Sequence, residues 1–88
     1  INNAERRRVA AAFDSLGLRH VPSVGNFILV DFERPAAPIY EALLRRAVIV
    51  RPVANYGLPT CLRISIGTPD ENTKLISALT EVLADAPD

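Results

Sequence analysis

The sequence has little of what most catalytic sites are built from. It holds one cysteine (Cys61), one histidine (His20) and one lysine (Lys74), with no tryptophan and no methionine. A single cysteine excludes an internal disulfide and any multi-cysteine metal site. A single histidine removes most hydrolytic triads and zinc clusters. Neither sign of charge is in excess, because ten basic and ten acidic side chains cancel to zero. A dedicated nucleic-acid binder needs a basic surplus to displace counterions, so this balance argues against one. No apolar run approaches the roughly 20 residues that span a bilayer, and nothing resembles a signal peptide. No GxGxxG, P-loop or HExxH motif is present, and no carboxylate dyad sits in a catalytic setting.

What is present is the composition of a globular domain: 88 residues, 49% hydrophobic and 23% charged. That length makes residues 1–88 one domain, small enough to be only marginally stable alone. The chain opens on Ile1 and not on Met, which suggests a piece of a longer protein.

The periodicity predicts a first helix over residues 3 to 17. Val9, Ala12, Phe13 and Leu16 share one face, Asn2 or Asn3 caps the start, and Gly17 suits the end. Arg6, Arg7 and Arg8 fan around this helix; a solvated face and a patch for a phosphate or an acidic partner are the two readings. Leu18 to Val21 reads as a short strand, broken by Pro22, Ser23 and Gly25. Asn26 to Phe32 is almost continuously apolar, the pattern of a strand covered on both faces. Pro35 and Pro38 lead into a second helix that ends near Arg46, with Ile39, Tyr40, Leu43 and Leu44 as its stripe. Ala47 stands where a helix-ending glycine is expected. Val48 to Val53 is the next strand, and Pro52 confines its end to a sheet edge. Cys61 to Ile66 is a further strand. Thr68, Pro69 and Glu71 form a capping box for a last helix to about Ala84, with a fraying tail at Asp85–Asp88. The expected fold is α+β: an α-β-β-α-β-β-α two-layer sandwich with helices on a small mixed sheet.

Two residues stand out chemically. Arg51 and Arg63 interrupt apolar strands, where a charge is costly unless paired or placed at the sheet's end. If the two strands form a hairpin, the guanidinium groups converge. They then either pair with internal acids such as Asp31 and Glu33 or receive an external carboxylate or phosphate. His20 has no obvious partner acid, Cys61 reads as core, and Lys74 reads as solvated. On residues alone a stand-alone small amino-acid-binding regulatory module fits these arginines. An RNA-binding sheet is opposed by the zero net charge.

A resemblance extends this reading. The segments Pro22-Ser23-Val24-Gly25-Asn26-Phe27-Ile28-Leu29-Val30-Asp31, Leu43 to Pro52, Tyr56-Gly57-Leu58-Pro59 and Leu62-Arg63-Ile64-Ser65-Ile66-Gly67-Thr68-Pro69-Asp70-Glu71-Asn72 recur in this order in one group. Over nearly its whole length the chain resembles the C-terminal small domain of the histidinol-phosphate aminotransferase family, which are fold-type I pyridoxal-phosphate enzymes. The resemblance implies that Arg63 binds the anionic end of the substrate, a phosphate in histidinol phosphate and a carboxylate in glutamate or 2-oxoglutarate. It implies that Arg51 assists, that Asn26 borders the pocket, and that Ala47 replaces a usual glycine. It also implies a cytoplasmic homodimer of longer chains. The pyridoxal phosphate and its Schiff-base lysine then belong to an absent large domain, and this chain alone is inactive.

Overall fold

The computed structural model describes residues 3–22 and 25–85. Asn2, Ser23 and Val24, and the tail from Ala86 onward, which figured in the sequence reading, lie outside the described residues. The elements run α1 (Asn3–Ser15), β1 (Arg19–Pro22), β2 (Phe27–Asp31), α2 (Ala37–Arg45), β3 (Arg51–Pro52), β4 (Cys61–Ser65) and α3 (Pro69–Asp85). A short 3-10 turn, Ala54–Tyr56, joins β3 to β4.

Helix ends follow the local chemistry. α1 stops where Gly17 takes φ 73°. There the Gly17 N–H donates to the Asp14 carbonyl and the Leu18 N–H to the Phe13 carbonyl, both at 3.0 Å. α2 stops in the same way, through Ala47 N–H to Leu44 and Val48 N–H to Leu43, each at 2.9 Å. This is the Schellman pattern, built once on glycine and once on an alanine forced to φ 60°. α3 begins with the expected reciprocal cap. The Thr68 N–H donates to Glu71 Oε1 at 2.8 Å and the Glu71 N–H to Thr68 Oγ1 at 3.2 Å. Gly67 suits this fold-back, since a Cβ there would stand 3.2 Å from the Cβ of Glu71.

The strands form one sheet in the order β1-β2-β4-β3, and every pairing is antiparallel. The expectation of a mixed sheet is therefore corrected. Each of β1–β2 and β3–β4 is joined by a connection too short for a parallel crossover, and β4 then inserts beside β2. β3 is shorter than expected. Val48 and Val50 are buried and extended, but only Arg51 and Pro52 pair, because Pro52 lacks the N–H that would continue the ladder. It is an edge strand, as Pro52 requires.

β2 is covered on one face only, which corrects the second expectation. Ile28 and Val30 are buried, while Phe27, Leu29 and Asp31 are partly exposed. The buried face joins a single core with Val9 and Phe13 of α1, Ile39 and Leu43 of α2, Leu62 and Ile64 of β4, and Leu75, Leu79 and Val82 of α3. The three helices thus share one side of the sheet. The opposite face carries Arg19 and Val21 beside Asp31 and Leu29, then Arg63 and Ser65, then Arg51. Val21 is 57% exposed there, so no helix among the described residues covers it.

One polar cluster fastens α1 to the start of α3. Asn72 is buried, at 1% exposure. Its Oδ1 accepts from Gly67 N–H at 2.9 Å, and its Nδ2 donates to the Gly67 carbonyl at 3.0 Å and to Glu5 Oε1 at 3.1 Å. Arg8 closes the cluster, donating from Nη2 to Glu5 Oε1 at 2.7 Å and to the Pro69 carbonyl at 3.0 Å. Arg8 therefore belongs to tertiary structure and not to a solvated face. His20 also has a partner that its sequence neighbourhood hides: Nε2 lies 2.7 Å from Asp14 Oδ1.

Candidate functional site

Arg51 and Arg63 stand directly opposite each other in the β3–β4 ladder. Opposed residues of an antiparallel pair project to the same face, so both guanidinium groups rise from the open side of the sheet. They line an open cleft of about 480 Å³ together with Phe27, Tyr40, Pro52 and Ser65. β2 supplies Phe27, β4 supplies Arg63 and Ser65, the edge strand supplies Arg51, and α2 brings Tyr40 to the rim.

Arg63 is partly buried. Its guanidinium carbon lies 4.2 Å from the centroid of the Phe27 ring, a cation–π contact. Its Nε is buried and has no hydrogen-bond partner among the described residues. The internal acids considered from sequence are engaged elsewhere. Asp31 Oδ1 accepts from the Glu33 N–H at 2.8 Å, and Glu33 lies 3.9 Å from Arg19. The hydrogen bond from the Glu33 N–H, then that from the Thr60 hydroxyl, holds the Asp31 carboxyl below the usual carboxylate range. Among the described residues neither Arg51 nor Arg63 forms a salt bridge. Two like charges face each other with in-plane donors open, which is an anion-receiving arrangement.

Asn26 is exposed, and its backbone carbonyl accepts the Ile66 N–H at 2.6 Å. The cleft lining takes Phe27 from this segment, not Asn26. Tyr40 went unnoticed in the sequence because it sat within an apolar helical stripe. Its partial exposure beside fully buried Ile39 is what separates it from the core. Lys74 is exposed on α3 and lines a different cavity of about 320 Å³ with Glu71 and Asn72. The described residues thus place Lys74 and the two arginines in different cavities. They also hold no cluster of metal-ligating side chains, and no helix among them is long and apolar enough to cross a membrane.

Fold and cleft together define an α+β lobe that carries two facing arginines on an open sheet face. Residues 2–79 match the family described as aminotransferase class I and II, and the chain belongs to that family. It is 58% identical over 86 residues to histidinol-phosphate aminotransferase 2 of Pseudomonas fluorescens strain Pf-5, covering 98% of this chain and 23% of that protein. It is 54% identical over 84 residues to histidinol-phosphate aminotransferase 2 of Pseudomonas aeruginosa, covering 96% and 23% respectively. Its fold is similar to that of the histidinol-phosphate aminotransferase from Clostridium acetobutylicum, with a TM-score of 0.86 at 26% identity, covering 96% of this chain and 27% of that one. The chain thus spans about a quarter of the length of the curated relatives it matches.

Proposed function

We propose that the chain is the C-terminal small domain of a cytoplasmic, homodimeric aminotransferase that moves an amino group between histidinol phosphate and 2-oxoglutarate. Arg63 and Arg51 hold the anionic end of each substrate. The observation that carries this reading is the facing Arg51–Arg63 pair, without a salt bridge among the described residues, on the open face of the sheet. Family membership and the names of the relatives support the reaction class and the substrate.

Each residue has a physical role. Arg63, held over the Phe27 ring, offers N–H groups to two oxygens of a carboxylate or phosphate. Arg51, exposed at the edge strand, adds a second positive charge, which suits a dianionic phosphate better than a monoanionic carboxylate. One site then serves both half-reactions, since histidinol phosphate and glutamate each present an anion. Pyridoxal phosphate, when bound by the rest of the enzyme, supplies the electron sink for amino transfer. This domain fixes the substrate's distance and orientation, and for rate that matters as much as affinity.

The test is glutamate-dependent transamination by the full enzyme. Arg63→Ala is expected to lower kcat/KM by roughly 30- to 1,000-fold, the equivalent of about 2–4 kcal/mol for a charge-assisted bidentate contact. Near-normal turnover in that variant would sink the role given to Arg63. The 88-residue chain alone is expected to show no transamination.

A further inference from the structure

We infer that Arg6 is a positioning residue for the Arg51–Arg63 site, acting through the backbone at the entry to β2 and the ring of Phe27. The inference rests on the anion-site reading above for its functional consequence, but its structural part stands on separate observations.

Three consecutive carbonyls at this entry are all held. The Asn26 carbonyl accepts the Ile66 N–H of the chain leaving β4 at 2.6 Å. Arg6 Nη1 donates to the Gly25 carbonyl at 2.9 Å, and Arg6 Nη2 donates to the Phe27 carbonyl at 3.1 Å. Successive carbonyls of an extended segment point opposite ways, so the β4 side can donate only to the middle one. Gly25, at φ 83°, bends the chain so that one planar guanidinium reaches both of the others. The last β1–β2 pair is Pro22 with Ile28, so these carbonyls lie just past the described ladder. A helix residue 19 and 21 positions away takes the place of a neighbouring strand.

The clamp leads straight to the site. It fixes the backbone of Phe27, whose ring carries the Arg63 guanidinium at 4.2 Å. Arg63 has no acid among the described residues to orient it, and its Nε is unpartnered. The Phe27 ring is then the contact that sets its plane. Loosening the β2 entry releases the ring, and the ring releases Arg63. Arg6 is about as far along the chain from the site as α1 allows, yet it touches the segment on which that geometry depends.

The test uses the full enzyme labelled at arginine Nε, with the Arg63 Nε–H resonance assigned by its loss in Arg63→Ala. Stacking on Phe27 places this proton under a ring current, and Phe27→Leu defines its unstacked position. Arg6→Ala is expected to move the resonance toward the Phe27→Leu value. It should also raise KM for histidinol phosphate about five- to tenfold, with a smaller effect on kcat. Arg7→Ala, an exposed neighbour on the same helix, should match wild type in both readouts. Arg6→Lys keeps the charge but loses the fork, so it should lie between, and it carries the test if Arg6→Ala does not fold. An Arg63 resonance unmoved in Arg6→Ala, or in Arg6→Lys if only that variant folds, overturns the clamp. A moved resonance in an enzyme whose wild type does not transaminate supports the clamp and overturns the functional reading instead.

Discussion

A guanidinium held over an aromatic ring is placed without an acid to pair it, and Arg63 sits in this way over Phe27. That it and Arg51 would meet was legible in the sequence, because each broke an apolar strand and a short loop joined the two. Arg6 was not legible. Its bonds go to the carbonyls of Gly25 and Phe27, and carbonyl acceptors leave no trace in residue type. The same blindness hid the His20–Asp14 contact and the buried Asn72, both made by packing between elements. Ala47 is the clearest single-residue prediction. It is exposed and sits at φ 60°, so its Cβ adds strain without packing. Ala47→Gly should stabilise the chain by about 0.5–1 kcal/mol, the left-handed strain less the added freedom of the unfolded glycine. Urea denaturation checks it, and an unchanged or lower midpoint would contradict the argument.

At the scale of elements, α3 is legible almost to the residue because its signal is local: a capping box and a proline in the first turn. Thr68→Ala removes one half of that cap and should cost about 1 kcal/mol, again read from the urea midpoint. Thr68→Ser, which restores the hydroxyl, should recover most of it. The strands were harder. The run from Asn26 to Phe32 looks doubly covered because both of its faces are apolar, yet only Ile28, Val30 and Phe32 join the core with the helices. Phe27 and Leu29 belong to the open face. An apolar pattern reports that a surface is to be covered, not whether the same chain covers it. Strand direction is likewise a property of how β4 inserts between β2 and β3, which no window of residues encodes.

Taken whole, the molecule is held by hydrogen-bonded carboxylates as well as by its core. Glu5 is held below its usual range by hydrogen bonds from Arg8 and then Asn72, Glu71 by the Thr68 N–H and then its hydroxyl, and Asp31 by the Glu33 N–H and then the Thr60 hydroxyl. A carboxyl whose folded pKa is depressed contributes stability that is complete above its unfolded value. That stability is lost as pH falls through the folded one. The urea midpoint should therefore stay level down to about pH 5 and fall steadily below about pH 4. A midpoint flat through that lower window would show that these bonds do not distinguish the folded from the unfolded chain.

The facing arginines have a consequence for motion. Like charges directly opposed in a ladder weaken it, and the ladder they weaken is the shortest in the sheet, a single arginine and a proline at the edge. The β3 edge is then the first part of the sheet to open, and an anion bridging the two guanidinium groups converts their repulsion into a cross-strand tie. Amide hydrogen exchange at Arg51 should be fast in the free protein and slow markedly with phosphate, while exchange in the β1–β2 ladder stays the same. Ligand and edge strand would then lock together, so that the site is completed by what it binds.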